Sequence, residues 1–161
     1  MKLLLLGGVA VCGVLLTAAA HPRSPVTQTF RAELTGSAEV PPVTTSAHGT
    51  AEFTLSGDTV TYSVTAQDLT GVEAAHLHIG MKGRNGAPAV TLYKGPKTDV
   101  ASGELTHGSF TAADLHGVTV SQLIDKMKKG DAYVNVHTSA HPGGEIRGQV
   151  TVAEQIKTSS H

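Results

Sequence analysis

From Thr29 to Val152 apolar and polar residues alternate in a two-residue period, in short runs separated by clusters of Gly, Pro, Asn and Asp. A two-residue period puts successive side chains on opposite faces of a strand, and many such short runs are the signature of an antiparallel all-β domain. The pattern predicts strands over Thr29–Thr35, Gly49–Leu55, Thr59–Ala66, Ala74–Ile79, Ala89–Tyr93, Ala101–Leu105, Ala132–His137 and Glu145–Val152. Ser56-Gly57-Asp58 reads as a tight hairpin turn and Lys82–Pro88 as a longer glycine-rich loop.

One segment follows a different period. Between Thr119 and Lys129 the apolar residues Val120, Leu123, Ile124 and Met127 fall at helical spacing. Thr119 is a suitable N-cap, Lys126, Lys128 and Lys129 complement the dipole of the last turn, and Gly130 is a C-terminal stop. The expectation is one short helix near residues 119–129, packed across the end of a β-sandwich.

The ends read as appendages to a single β domain spanning residues 29–152. Met1-Lys2 is a short basic start, Leu3–Leu16 is almost unbroken apolar chain, and Thr17–Ala20 supplies small residues. A run this short falls below the about 20 apolar residues needed to cross a bilayer core, so it predicts a cleaved secretory signal over 1–20 rather than a transmembrane segment. The cut is placed after Ala20, which makes the protein secreted or periplasmic. A lipoprotein signal ending at Cys12 is the alternative, and the bulky Val11 before that cysteine argues against it. Residues 21–28, with Pro22 and Pro25, read as a flexible leader, and 153–161 as a polar tail.

Composition narrows the chemistry. The 161 residues carry 12 basic and 13 acidic side chains, a formal charge of −1, so the non-specific attraction that draws proteins to nucleic acid is missing. The only cysteine leaves with the signal, which excludes a disulfide and a thiolate metal site in the mature chain. What remains is histidine, carboxylate and hydroxyl, and the nine histidines stand out.

In Ala75-His76-Leu77-His78-Ile79 the strand period gives Ala75, Leu77 and Ile79 to the core and His76 and His78 to the other face. Two strand rises, roughly 6.6 Å, let both imidazoles reach one ion. In Ala132–His137 the core face is Ala132, Val134 and Val136, leaving Tyr133, Asn135 and His137 opposite. In the last strand Ile146, Gly148, Val150 and Val152 point one way, and Glu145, Arg147, Gln149 and Thr151 the other. If these strands are neighbours, His76, His78, His137 and Arg147 converge on one outer surface of the sheet. Three imidazoles beside an arginine suit copper or, second, zinc with a small anion bound.

His141, in the turn His141-Pro142-Gly143-Gly144, is the candidate fourth ligand, with His107 as another. His48 and His116 sit near turns and His161 ends the tail. His21 becomes the N-terminal residue on cleavage, where amine and imidazole could chelate copper together, although Pro22 and the loose leader oppose preorganisation. Elsewhere, Glu39-Val40-Pro41-Pro42 reads as a stiffened strand end. Lys82–Gly86 is followed by no helix start that would hold a phosphate, and no nucleophile-elbow motif is present.

The stretches Phe30–Pro42 (FRAELTGSAEVPP), Ala75–Gly86 (AHLHIGMKGRNG) and Tyr133–Gln149 (YVNVHTSAHPGGEIRGQ) resemble the CHRD domain, a module named from chordin and also found alone in secreted bacterial proteins. More distantly, Asp68-Leu69-Thr70-Gly71 followed by His76-Leu77-His78, together with Val134–His137 and Gly144–Gly148, is similar to Cu/Zn superoxide dismutase. That likeness implies a Greek-key antiparallel β-sandwich or flattened barrel, copper on His76, His78 and His137, and Arg147 guiding an anion. The chain departs from the dismutase pattern in having no histidine between His78 and His107, so the bridging histidine and zinc loop have no counterpart. The expectation is a secreted metal-binding domain for extracytoplasmic copper handling or, if an enzyme, dismutase-like redox chemistry. The competing expectation is a metal-free extracellular interaction module that uses the same polar sheet face for recognition.

Overall fold

The structure, a computed structural model, describes residues 27–153. The expected signal, nearly all of the leader, the tail beyond Ala153, and with them Cys12, His21 and His161, lie outside the described residues. Within them the chain is all-β with one short helix, as the patterning predicts. In order, the elements are β1 (Gln28–Thr35), β2 (His48–Ser56), β3 (Thr59–Ile79), β4 (Pro88–Phe110), α1 (Val120–Lys129), β5 (Ala132–Thr138), β6 (Ile146–Gln149) and β7 (Thr151–Val152). Short 3-10 turns cover Gly36–Ala38 and Ala112–Asp114.

Every pairing is antiparallel, and the strands run in the order β2-β1-β6-β5-β3-β4 with β7 on β1. A further β2–β3 pairing closes the sheet into a flattened barrel. Closure is possible because β3 is long and bent. Its first half, from Thr59 to Gln67, pairs with β2, and its second half, from Val72 to Ile79, pairs with β5. The interior is filled by the core-facing residues of the strand pattern, among them Phe30, Leu34, Phe53, Val64, Leu77, Val134 and Ile146.

The predicted strands Thr59–Ala66 and Ala74–Ile79 are therefore one element, as are Ala89–Tyr93 and Ala101–Leu105. Asp68 (φ 58°) and Gly71 (φ 67°) turn the chain through left-handed conformations, and the β3–β4 register shifts at Leu69/Val72 and Val72/Ala74. The segment that looks like a loop in sequence is a pair of bulges, which bend a strand without unpairing it. The predicted last strand is divided instead. Val150 donates its N–H to Ala132 O (2.8 Å), and Thr151–Val152 change partner to β1. Val152, expected in the core, is 42% exposed as a result.

Helix α1 buries Leu123, Ile124 and Met127 and packs against β5 and β7. Its start is a capping box, in which Thr119 Oγ1 accepts from Gln122 N–H and Gln122 Oε1 accepts from Thr119 N–H. Gly130, at φ 71°, ends it. No helix among the described residues is long and apolar enough to cross a membrane.

Candidate metal centre

The strand period decides which side chains meet. Ala75 and Leu77 on β3, and Val134 and Val136 on β5, are fully buried in the core, so the residues between them project to the opposite face. β3 and β5 are direct neighbours in the register Ala74↔His137, His76↔Asn135 and His78↔Tyr133. The expected convergence of the three histidines is thereby met. Their ring centroids lie 5.6 Å apart for His76–His78, 5.1 Å for His76–His137 and 6.3 Å for His78–His137. One nitrogen of each ring lies within 4.8 Å of those of the other two, and this is the group of three potential metal ligands found among the described residues.

Backbone carbonyls orient two of the rings. His78 Nδ1 donates to Gly86 O (2.9 Å) and His137 Nδ1 donates to Pro142 O (2.8 Å). A carbonyl only accepts, so each Nδ1 carries the proton and each Nε2 keeps its lone pair. His78 Nε2, His137 Nε2 and His76 Nδ1 are all buried and all lack a hydrogen-bond partner. Burial lowers the pKa of His76 to about 4, with His137, His78 and Lys94 adding repulsion. Burial also lowers His78, as do His137 and Arg147, against the Gly86 hydrogen bond that raises it. These two imidazoles are therefore neutral near pH 7, the form that binds metal.

Such a donor set fits a first-row ion. Metal–imidazole bonds of about 2.0–2.1 Å hold their nitrogens about 3.3 Å apart in tetrahedral geometry, a spacing compatible with ring nitrogens that lie within 4.8 Å of one another. The two Nδ1–H···O=C bonds are the outer support that metal-ligating histidines ordinarily carry.

The face bearing the histidines is partly covered, and the three rings themselves are half-buried. Tyr133 stacks on His78 with ring centroids 4.8 Å apart and planes 10° apart, and the Arg147 guanidinium carbon lies 3.4 Å from the centre of the Tyr133 ring. Arg147 is 1% exposed, and its terminal nitrogens donate to Asn85 Oδ1 (2.9 Å) and Arg84 O (2.7 Å). Tyr133 and Asn135 are each 3% exposed. The part of that outer surface carrying Tyr133, Asn135 and Arg147 is thus roofed by the loop after β3 and by the Glu39 segment. Tyr133, Asn135 and Arg147 do not form an exposed recognition face. Periodicity separates the two faces of a strand but does not show that a loop lies over one of them.

His141 stays outside the group of three. Its backbone closes the turn, donating to Thr138 O and accepting from Gly144 N–H, and its residue lines a neighbouring concavity with Glu39 and Pro142. His107 is exposed on β4 beside Glu104, and His48 and His116 are also exposed.

Two parts of the surroundings escape a reading of the sequence. Glu39 is 4% exposed, and its Oε1 accepts from Asn135 Nδ2 (2.6 Å). Burial raises its pKa to about 7 against the pull of Arg147, the Val40 backbone and Asn135. Gly86 is the other. A Cβ there would collide with Ile79 O, so only glycine lets this loop come close enough to place its carbonyl on His78 and its N–H on Tyr133 Oη. The glycine in the loop was the only hint that sequence offered.

The family model described as CHRD domain matches residues 30–150. No curated protein and no solved structure matches the chain.

Proposed function

The chain belongs to the CHRD domain family, and on that footing we propose that it is a secreted module that binds copper through His76, His78 and His137. One observation carries the reading: the rings of His76, His78 and His137, two of them oriented from behind, bring one nitrogen each to within 4.8 Å of the others, and each ring holds a buried nitrogen without a hydrogen-bond partner. A buried polar atom left unsatisfied costs about 1–3 kcal/mol, and one cation would satisfy all three at once. Imidazole suits copper and zinc alike, and for a site of nitrogen ligands affinity rises toward copper, which leaves zinc as the second choice. Copper handling outside the cytoplasm is the role this supports, with the signal over 1–20 as its address. Copper bound there would supply one-electron chemistry toward small oxygen species. In this reading Arg147 is a positioning residue that clamps Tyr133 and the roofing loop, and its positive charge acts on His78.

Titration of the metal-stripped protein with Cu(II) and Zn(II) tests the proposal. Submicromolar copper binding is expected, weakened at least a hundredfold in the His76→Ala/His78→Ala variant. Equal binding by the variant, or none by the wild type, overturns it. A superoxide-decay assay separates the branches: decay faster with copper-loaded wild type than with the variant supports redox catalysis, and equal decay leaves a binding function.

A further inference from the structure

Four side-chain polar atoms among the described residues are buried without a hydrogen-bond partner, and three are the histidine nitrogens of the proposed centre. The fourth is Asn135 Oδ1. Its position is not independent of theirs. Asn135 lies directly opposite His76 across the β3–β5 pairing, and two residues before His137 on the same face of β5. An unsatisfied acceptor in the register of three unsatisfied nitrogens needs a donor beside the same centre.

The amide is held in one sense. Glu39 Oε1 accepts a hydrogen bond from Asn135 Nδ2 at 2.6 Å, which commits the nitrogen end and leaves the oxygen end without a partner. Gly144 makes room for this pair, since a Cβ there would strike Asn135 Nδ2 and crowd the Glu39 carboxylate. An amide oxygen is a hard donor suited to magnesium, calcium or manganese, so beside three imidazoles it is a poor competitor for copper. As a hydrogen-bond acceptor it is fully competent.

We infer that Asn135 Oδ1 accepts a hydrogen bond from an exogenous ligand that completes the metal centre, so that the site prefers ligands bearing a proton on the coordinating atom, water foremost, over anions that bear none. Asn135 is a specificity-determining residue and Glu39 positions it. This inference rests on the copper reading and adds the class of ligand to it.

Azide, which coordinates without a proton, is the probe. Copper-loaded wild type and Asn135→Leu, a neutral substitution of similar size, are titrated with azide after the copper affinity of each has been measured. Removing one hydrogen bond from the competing water is expected to tighten azide binding about three- to tenfold. Unchanged azide affinity in a variant that still holds copper overturns this inference alone. Failure of the wild type to bind copper overturns it together with the proposed function. Should Asn135→Leu not fold, a structure of the copper-loaded wild type decides. A non-protein oxygen on copper within hydrogen-bond distance of Asn135 Oδ1 supports the inference, whereas a fourth protein ligand, Asn135 Oδ1 included, overturns it.

Discussion

His76 and Glu39 titrate in opposite senses around the same partly covered face. Unfolded His76 takes up a proton near 6.5 and the native residue only near 4, because burial comes first and the neighbouring charges second. As pH falls from 6.5 toward 4 the unfolded chain binds the extra proton, so a contribution fully present above 6.5 is lost. His78 has the same sign. Native Glu39 holds its proton up to about 7, against an ordinary value of 4.5, so its contribution is present below 4.5 and lost as pH rises to 7. The slopes oppose each other between 4.5 and 6.5. Glu39→Gln is expected to steepen the acid loss of stability in metal-free protein, and His76→Ala to uncover a decline from 4.5 to 7. Urea midpoints measured against pH with a chelator present check this, and a Glu39→Gln profile parallel to wild type would refute it.

At the level of elements, the centre depends on a loop as much as on two strands. Gly86 reaches His78 and Tyr133 from the chain that follows β3, while Pro142 reaches His137 from the turn after β5. Gly86→Ala would press a methyl group against Ile79 O and push the loop away. The expected outcome is a copper affinity about 10- to 100-fold weaker with all three histidines intact, because the carbonyl that sets the His78 tautomer moves. Competition against a chelator of known affinity measures it, and wild-type affinity would show that the strand pair alone orients the rings. The same scale explains why the histidine pairing was legible and the loop was not. Alternation in β3 and β5 places His76, His78 and His137 on non-core faces through local geometry. The approach of Gly86 depends on how the connection from Gly80 to Ala87 folds back across the sheet.

For the whole molecule, the centre joins β3 to β5, and β5 is the strand that links β3 to β6 and so to β1. Metal bound only by the folded form would tie this circuit together, raising stability by RT ln(1 + [M]/Kd), about 2.7 kcal/mol at a hundredfold excess over Kd. Thermal melts with and without Cu(II) should show an upward shift in wild type and none in the His76→Ala/His78→Ala variant. A shift of equal size in both would place the stabilising ion elsewhere. Closure also makes the bends in β3 and β4 necessary. A strand that must pair with β2 at one end and β5 at the other has to turn, and Asp68 and Gly71 supply that turn.

The all-β class, the helix with its cap and stop, and the side of each strand on which a histidine falls were determined by the sequence itself. These properties follow from two short-range periods and from capping chemistry within a few residues. Only the tertiary structure decided that β3 and β5 are adjacent, that a loop and Glu39 roof part of the face, and that Arg147 is clamped over Tyr133. Those depend on contacts between residues as distant as Glu39 and Asn135, where no local period reaches.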